Sequence, residues 1–267
     1  MKIAFIGCGV MGEAILKSLL AKGLVSAKEV TASDASQPRC QLINERYGIS
    51  CTPDNCQALA NADIVILAIK PQNLSEIAAE LQGHFNKQQL VISIIAGAGL
   101  PDMVRGLGHN TVVRAMPNTP AQIGQGMTVW TSSSGLSQQH QEAAKAILGS
   151  LGKEIYVSDE KYIDMSTAVS GSGPAYVFLF IEAFIDAAVH IGFSRQVANE
   201  LVLQTVLGSA QLAIESGKHP AELRNMVTSP GGTTAEGLLS LEKGGLRALL
   251  TQAVIEGHQK SIRLRQR

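Results

Sequence analysis

Apolar positions in the first part of the chain gather into short runs, each stopped by glycine, proline or a charged residue, with amphipathic stretches between them. Ile3 to Ile6 runs into Gly7. Glu29 to Asp34, Ala62 to Ile69, Leu90 to Ile95 and Thr111 to Met116 follow, and Gly126 to Trp130 and Glu154 to Val157 complete the series. Consecutive apolar positions predict strands covered on both faces, as in a parallel sheet. The stretches between predict helices. Glu13 to Leu20 has apolar residues at helical spacing, Thr52-Pro53-Asp54 reads as a helix start with proline at the first helical position, and another helix begins near Ser137. This alternation, with right-handed connections, predicts an α/β fold with a doubly wound parallel sheet and a ligand crevice beyond the carboxyl ends of its strands. From Ser158 onward every segment reads as helix, so the expected division is an α/β domain over 1–160 and an all-helical domain over 161–267.

The first strand exit carries chemistry. In Gly7-Cys8-Gly9-Val10-Met11-Gly12, Gly7 allows a sharp turn, Gly9 leaves no Cβ where a pyrophosphate must approach the backbone, and Gly12 lets the helix lie close on the strand. The N–H groups at that helix start suit phosphates, which predicts a Rossmann-type dinucleotide site. At the end of the second strand the signal is divided. Asp34 would accept hydrogen bonds from a free ribose 2′-hydroxyl and favour NAD, whereas Ser33, Ser36 and Arg39 could hold a 2′-phosphate and favour NADP; a helix-capping Asp beside an exposed Arg is the third reading. Ala68, Lys70 and Pro71, and Met116-Pro117-Asn118-Thr119-Pro120, fall at later strand ends, the second group where a nicotinamide ring would lie.

Composition narrows the classes. The 267 residues are 45% hydrophobic and 16% charged with zero net charge, which excludes a disordered chain and gives no support to nucleic-acid binding. Arg263, Arg265 and Arg267 read as a solvated helix end. No signal peptide is visible, so the cytoplasm is the expected location. Ala175 to Phe193 is apolar enough to suggest a membrane span, but Glu182, Asp186 and His190 inside it would be costly in lipid, so no membrane is expected. Cys8, Cys40, Cys51 and Cys56 lack metal-ligand spacing and read as reduced structural thiols, with no metal site.

The helical half opens on Val169-Ser170-Gly171-Ser172-Gly173-Pro174 and a helix from about Pro174 to Ile191. Glu182, Asp186 and His190 share one face of it, either as a polar edge or as a metal or proton-relay line. Its other faces are so apolar that a partner copy is needed to cover them, which predicts a homodimer. Further on, Thr228-Ser229-Pro230-Gly231-Gly232-Thr233-Thr234-Ala235-Glu236 predicts a second glycine-marked helix start, with Thr233 and Glu236 as a capping box and its free N–H groups as a seat for a carboxylate.

Taken together, the glycine loop, Ala68-Ile69-Lys70-Pro71, Arg114-Ala115-Met116-Pro117-Asn118-Thr119-Pro120, Ser170-Gly171-Ser172-Gly173-Pro174-Ala175-Tyr176 and Ser229-Pro230-Gly231-Gly232-Thr233-Thr234 resemble the Δ1-pyrroline-5-carboxylate reductases, which make proline with NAD(P)H. The resemblance covers the whole chain. It implies that Thr234 hydrogen-bonds the substrate ring nitrogen, and that Ser229, Gly231, Gly232 and Thr233 help hold its carboxylate. It implies also that Asn55 and Lys70 line the dinucleotide site, that Met116 to Thr119 flank the nicotinamide, and that the helical domains interlock into dimers or assemblies of dimers. The family's usual cofactor is NADPH; Asp34 departs from its pattern and leaves NADH open.

The residues suit imine reduction, because a cyclic imine binds already protonated and needs no strong enzymic base. The closest alternative, a β-hydroxyacid dehydrogenase, needs a base to take a hydroxyl proton, and the related enzymes use a lysine on a helix of the second domain. This chain has no lysine between Lys161 and Lys218, although His190 could stand in. A non-catalytic NAD(P)-sensing module is the other alternative; it would have no use for the second anion seat.

Overall fold

The computed structural model describes residues 1–265. Contacts divide the chain into two units, one formed by Met1–Ser172 with the stretch from Gly257 onward, the other by Gly173–Glu256. In the first, eight strands among the described residues form one sheet: β1 Ile3–Ile6, β2 Val30–Ser33, β3 Ser50–Thr52, β4 Ile64–Leu67, β5 Leu90–Ser93, β6 Val112–Met116, β7 Gly126–Ser132 and β8 Gly152–Tyr156. Their order is β3-β2-β1-β4-β5-β6-β7-β8. The strands from β3 to β6 are parallel, and β7 breaks the pattern by running antiparallel to β6. The order reverses at β1, which lies between β2 and β4, and this is the point where a doubly wound sheet opens a crevice.

The helices of this unit are α1 Val10–Ala21, α2 Gln37–Tyr47, α3 Asn55–Leu59, α4 Leu74–Leu81, α5 Leu100–Leu107, α6 Gln138–Gly149 and α7 Lys161–Ser166. Alternation along β1 explains the two layers. Ile3 and Phe5 point into one core with Ile15, Leu16 and Leu19 of α1, and Ala4 and Ile6 point into the other with Leu59, Leu81, Met103 and Leu107. Each such fully buried side chain contributes about 1.5–3 kcal/mol of burial energy, so the strand is fixed in register by both of its faces.

Three expectations need correction here. The helix after Thr52 begins at Asn55, not at Pro53. Thr52 ends the short strand β3, and Asp54 is the cap, its carboxylate accepting from the Gln57 N–H at 2.9 Å. The cysteines are not all thiols, because Cys40 and Cys51 form a disulfide. Strand β3 lies beside β2, and α2 folds back between them, which brings the two Cα atoms to 5.1 Å. Arg265 is not a solvated helix end, since it pairs with Asp164 at 2.6 Å. Arg263 is exposed, and Arg267 lies outside the described residues.

The second unit contains α8 Gly173–His190, α9 Arg195–Ser216, α10 Pro220–Met226, α11 Thr233–Lys243 and most of α12 Leu246–Arg265. A π-helical turn at Thr167–Gly171 precedes α8. The core of this unit is small, formed by Ile185 and Ala188 of α8 against Ala198 and Val202 of α9. Phe178, Leu179, Phe184, Leu207 and Leu249 are exposed. Two helical stretches among the described residues, Lys161–His190 and Arg195–Ser216, are long and apolar enough to cross a bilayer by composition.

Candidate active site

Strand β1 delivers its carboxyl end between Ser33 and Leu67, so the glycine turn emerges at the switch point. The Gly7 N–H donates to the Ser33 carbonyl at 2.8 Å, and its φ of 88° lies where a side chain is strained. A Cβ on Gly12 would stand 2.6 Å from the Gly7 carbonyl oxygen, so the helix start needs glycine there for closeness alone. At Gly9 the situation is the reverse: a Cβ would meet nothing within 4 Å. The protein gives no packing reason for glycine at that place. A group that approaches the backbone from outside does give one, and the turn therefore fits a dinucleotide pyrophosphate. Gly9 caps α1 without a side-chain acceptor, which leaves the first-turn amides of Val10 and Met11 to a ligand.

The groups around the turn are held by one another. Asp34 accepts from the Cys8 N–H and the Ser36 N–H, each at 3.0 Å. The Cys8 thiol is buried, and that burial, with Asp34 close by, pushes its pKa up to about 12, which leaves it inert. The Arg39 Nε donates to the Cys8 carbonyl at 2.6 Å, and its guanidinium is paired with Glu13. Glu13 also accepts from Arg46 at 3.0 Å and from the Tyr47 hydroxyl at 2.9 Å. Partial burial alone would raise the Glu13 pKa, but the bonds from Arg39, Tyr47 and Arg46 outweigh it and hold the carboxylate below its ordinary value.

Ser33 is fully buried, its hydroxyl 2.6 Å from Asn55 Oδ1, while the Asn55 amide donates to Glu80 at 2.8 Å. Ala68 donates from its N–H to the Ile6 carbonyl at 2.9 Å beside the turn, and Lys70 and Pro71 are exposed just beyond β4. At the end of β6, the Asn118 side chain donates to the Ser170 carbonyl at 3.0 Å and accepts from the Met127 N–H at 2.9 Å, which fixes the Met116-Pro117-Asn118 turn. The first unit thus collects Gly7 to Gly12, Ser33, Asp34, Arg39, Asn55, Ala68, Lys70, Pro71 and Met116 to Asn118 at or just beyond the carboxyl ends of β1, β2, β3, β4 and β6.

The second glycine-marked helix start lies in the other unit. Gly231 has φ 66°, and the Gly232 N–H closes a turn onto the Ser229 carbonyl at 3.1 Å. The expected capping box does not form. Gly232 is the cap, Thr233 is already the first helical residue, and Glu236 is one position too far along to reach back. The start of α11 consequently has no side-chain cap, and its first-turn amides, including that of Thr234, have no side-chain acceptor. The polar line on α8 resolves differently: Asp186 pairs with Arg195 at 2.5 Å, and Glu182 and His190 are exposed.

Two arrangements escaped the sequence reading. The Glu13 clamp was signalled by Arg39, Arg46 and Tyr47, which lie seven and eight positions apart on one face of α2. The buried cluster of Arg114, Glu160, Asp164 and Arg265 had a weaker signal: Glu160 and Asp164 stand four residues apart at the start of α7, but the two arginines come from distant parts of the chain.

Over 264 residues the chain is 40% identical to the pyrroline-5-carboxylate reductase of Synechocystis sp., a match covering 99% of this chain and 98% of that one. The chain belongs to the pyrroline-5-carboxylate reductase family. The family profile described as pyrroline-5-carboxylate reductase dimerisation matches residues 160–264, and one described as NADP oxidoreductase, coenzyme F420-dependent, matches residues 2–97. Among solved pyrroline-5-carboxylate reductases, that of Coxiella burnetii is 36% identical with a TM-score of 0.90, covering 98% of each chain. That of Plasmodium falciparum, with NADP bound, is 30% identical with a TM-score of 0.91, covering 99% of this chain and 98% of that one. The family expected from the motifs is the family found, and so is its fold: a doubly wound, mostly parallel Rossmann-type sheet with a helical C-terminal part.

Proposed function

We infer that this chain transfers a hydride from a reduced nicotinamide dinucleotide to the C=N carbon of Δ1-pyrroline-5-carboxylate, giving L-proline. One observation carries the reading: the family likeness runs the length of the chain and includes both glycine-marked helix starts, the turn at Gly7 to Gly12 and the loop from Ser229 to Thr234. Held on the first of these, the dinucleotide supplies the hydride.

The chain's own part is positioning. Backbone amides at Gly9, Val10 and Met11 receive the pyrophosphate, Asp34 and Arg39 stand at the ribose end, Asn55 and Lys70 line the site, and the turn anchored by Asn118 flanks the nicotinamide. The amides after Gly231 seat the substrate carboxylate, with Ser229 and Thr233 beside them, and the Thr234 hydroxyl accepts from the protonated ring nitrogen. The nitrogen arrives with its proton, so no side chain has to act as a strong base. Catalysis is then chiefly orientation of C5 toward the hydride donor.

Residues 1–160 serve the dinucleotide, and 161–267 serve the substrate and assembly. The protein acts as a homodimer or an assembly of dimers. The exposed Phe178, Leu179 and Phe184 on α8 and the dimerisation profile over 160–264 support this. Its partners are the substrate and copies of itself, without nucleic acid or membrane, a view supported by zero net charge and the acidic residues on its apolar helix, and its proposed location is the cytoplasm.

The test adds pyrroline-5-carboxylate to purified protein with NADPH or NADH and follows absorbance of the reduced nicotinamide. Loss of absorbance matched by proline is expected. Dinucleotide binding without turnover would overturn the reductase reading in favour of a sensor.

A further inference from the structure

We propose that Glu13 sets the dinucleotide preference of this chain by holding Arg39 away from a 2′-phosphate, so that with Asp34 the site selects NADH over NADPH. The proposal rests on the dinucleotide reading of the glycine turn and goes beyond it to the form of the cofactor. The two dinucleotides differ at one place, where NADH carries a ribose hydroxyl and NADPH a phosphate dianion. A hydroxyl needs an acceptor, whereas a phosphate needs cations and donors.

The end of β2 offers the acceptor. The Asp34 carboxylate is anchored by the Cys8 and Ser36 amides at 3.0 Å and is not paired with a basic side chain there. An ionised carboxylate retains acceptor capacity after two such bonds, so a ribose hydroxyl can still donate to it. Of the donors that a 2′-phosphate would want, the Ser36 hydroxyl stands free, but Ser33 and the cationic Arg39 are already engaged. Ser33 is buried against Asn55. The Arg39 Nε is given to the Cys8 carbonyl at 2.6 Å, and one of its two terminal nitrogens is paired with Glu13, so the charge of the guanidinium is already met by a carboxylate.

Glu13 is held from three sides, by Arg39, by Arg46 at 3.0 Å and by Tyr47 at 2.9 Å, with its side chain only 17% exposed. All three donors stand on α2, so the clamp fixes Arg39 as part of the contact between α1 and α2. The two carboxylates and two guanidinium groups balance before any ligand arrives. To bind a phosphate dianion, the site would have to share with the phosphate, or withdraw, an Arg39 already neutralised in a partly buried ion pair, and bring the phosphate beside Asp34. Both requirements count against NADPH, and neither touches NADH.

Dissociation constants for NAD+ and NADP+, measured by isothermal titration calorimetry on the full chain, test the proposal. Unmodified protein is expected to hold NAD+ roughly tenfold more tightly, the worth of about one charge-assisted hydrogen bond. Glu13→Gln should tighten NADP+ by roughly tenfold while NAD+ moves by less than about twofold. Should that variant fold poorly, Arg39→Ala decides: an engaged arginine makes the two dinucleotides shift by the same factor, whereas a selective loss of NADP+ affinity overturns the proposal. Preference of the unmodified protein for NADP+ also overturns it, as does equal weakening of both dinucleotides by Glu13→Gln, the outcome of a merely structural contact. If the unmodified protein binds neither dinucleotide, the reading of the glycine turn itself fails and the proposal falls with it.

Discussion

Arg114 and Asp164 meet at 2.8 Å with side chains 1% and 2% exposed. Each has further company, Glu160 at 2.7 Å from Arg114 and Arg265 at 2.6 Å from Asp164. Charges so deep are costly without partners, and removal of one member leaves the others uncompensated. Asp164→Asn is therefore expected to destabilise the protein by about 3–5 kcal/mol. The measurement is the urea midpoint at unchanged slope; a loss below about 1 kcal/mol, the worth of a surface pair, would show that the cluster is not acting as a buried one.

Gly9 and Gly12 are predicted to fail in different ways. A methyl on Gly9 meets open space, so Gly9→Ala should leave the melting temperature nearly unchanged and weaken dinucleotide binding by at least about tenfold, because it fills the approach to the backbone. A methyl on Gly12 meets the Gly7 carbonyl at 2.6 Å, so Gly12→Ala should lower stability as well as affinity. Thermal melts and dinucleotide titrations on both variants check the contrast.

Thr234→Ala should cut turnover by roughly tenfold to a hundredfold, as expected when one positioning contact is lost. Affinity for the dinucleotide should stay almost intact. Thr234→Ser, which keeps the hydroxyl, should recover most of the rate. Steady-state kinetics on the pair answer the question, and unchanged turnover in the alanine variant would remove Thr234 from its role.

Glu13 gives a pH prediction. Its pKa is lowered from the ordinary 4.5, so its bonds contribute stability that is fully present above pH 4.5 and lost as the pH falls through the lower folded value. The stability difference between the unmodified protein and Glu13→Gln should be constant near neutrality and shrink on acidification below 4.5. Denaturation midpoints across that range read it, and a difference that grows in acid would mean the opposite sign of shift.

The cysteines should alkylate unequally. In native protein without reductant, Cys56 is the expected site of iodoacetamide labelling, since Cys8 is buried with its pKa near 12 and Cys40 is bonded to Cys51. Peptide mass spectrometry before and after unfolding with reductant checks it; labelling of Cys40 in the native, unreduced protein would contradict the pairing.

Much of the fold was legible because strands buried on both faces write themselves as unbroken apolar runs. Ile64 to Leu67 and Leu90 to Ser93 needed nothing beyond that pattern. Strand β3 did not, because Ser50-Cys51-Thr52 has only three residues, none strongly apolar, and is held by its neighbour β2. The start of α11 was legible to within one residue, and that residue decided whether Glu236 could cap it. At the site, the glycines announced themselves through backbone geometry. The Cys40–Cys51 bond and the Arg114 cluster depend on where the chain returns to itself, and local pattern carries no record of that.

The last helix gives the first unit a peculiar order of assembly. Strands β1 to β8 are complete by Tyr156, yet the second counter-charge for Asp164, beside Arg114, is Arg265, supplied by the end of α12. During synthesis the sheet can form long before its charge cluster can be completed. A chain interrupted before Gly257 would keep every strand and lack both Ser261 and Arg265 at that carboxylate. Full stability of the sheet-bearing unit thus waits for residues that follow it on the far side of an entire helical unit.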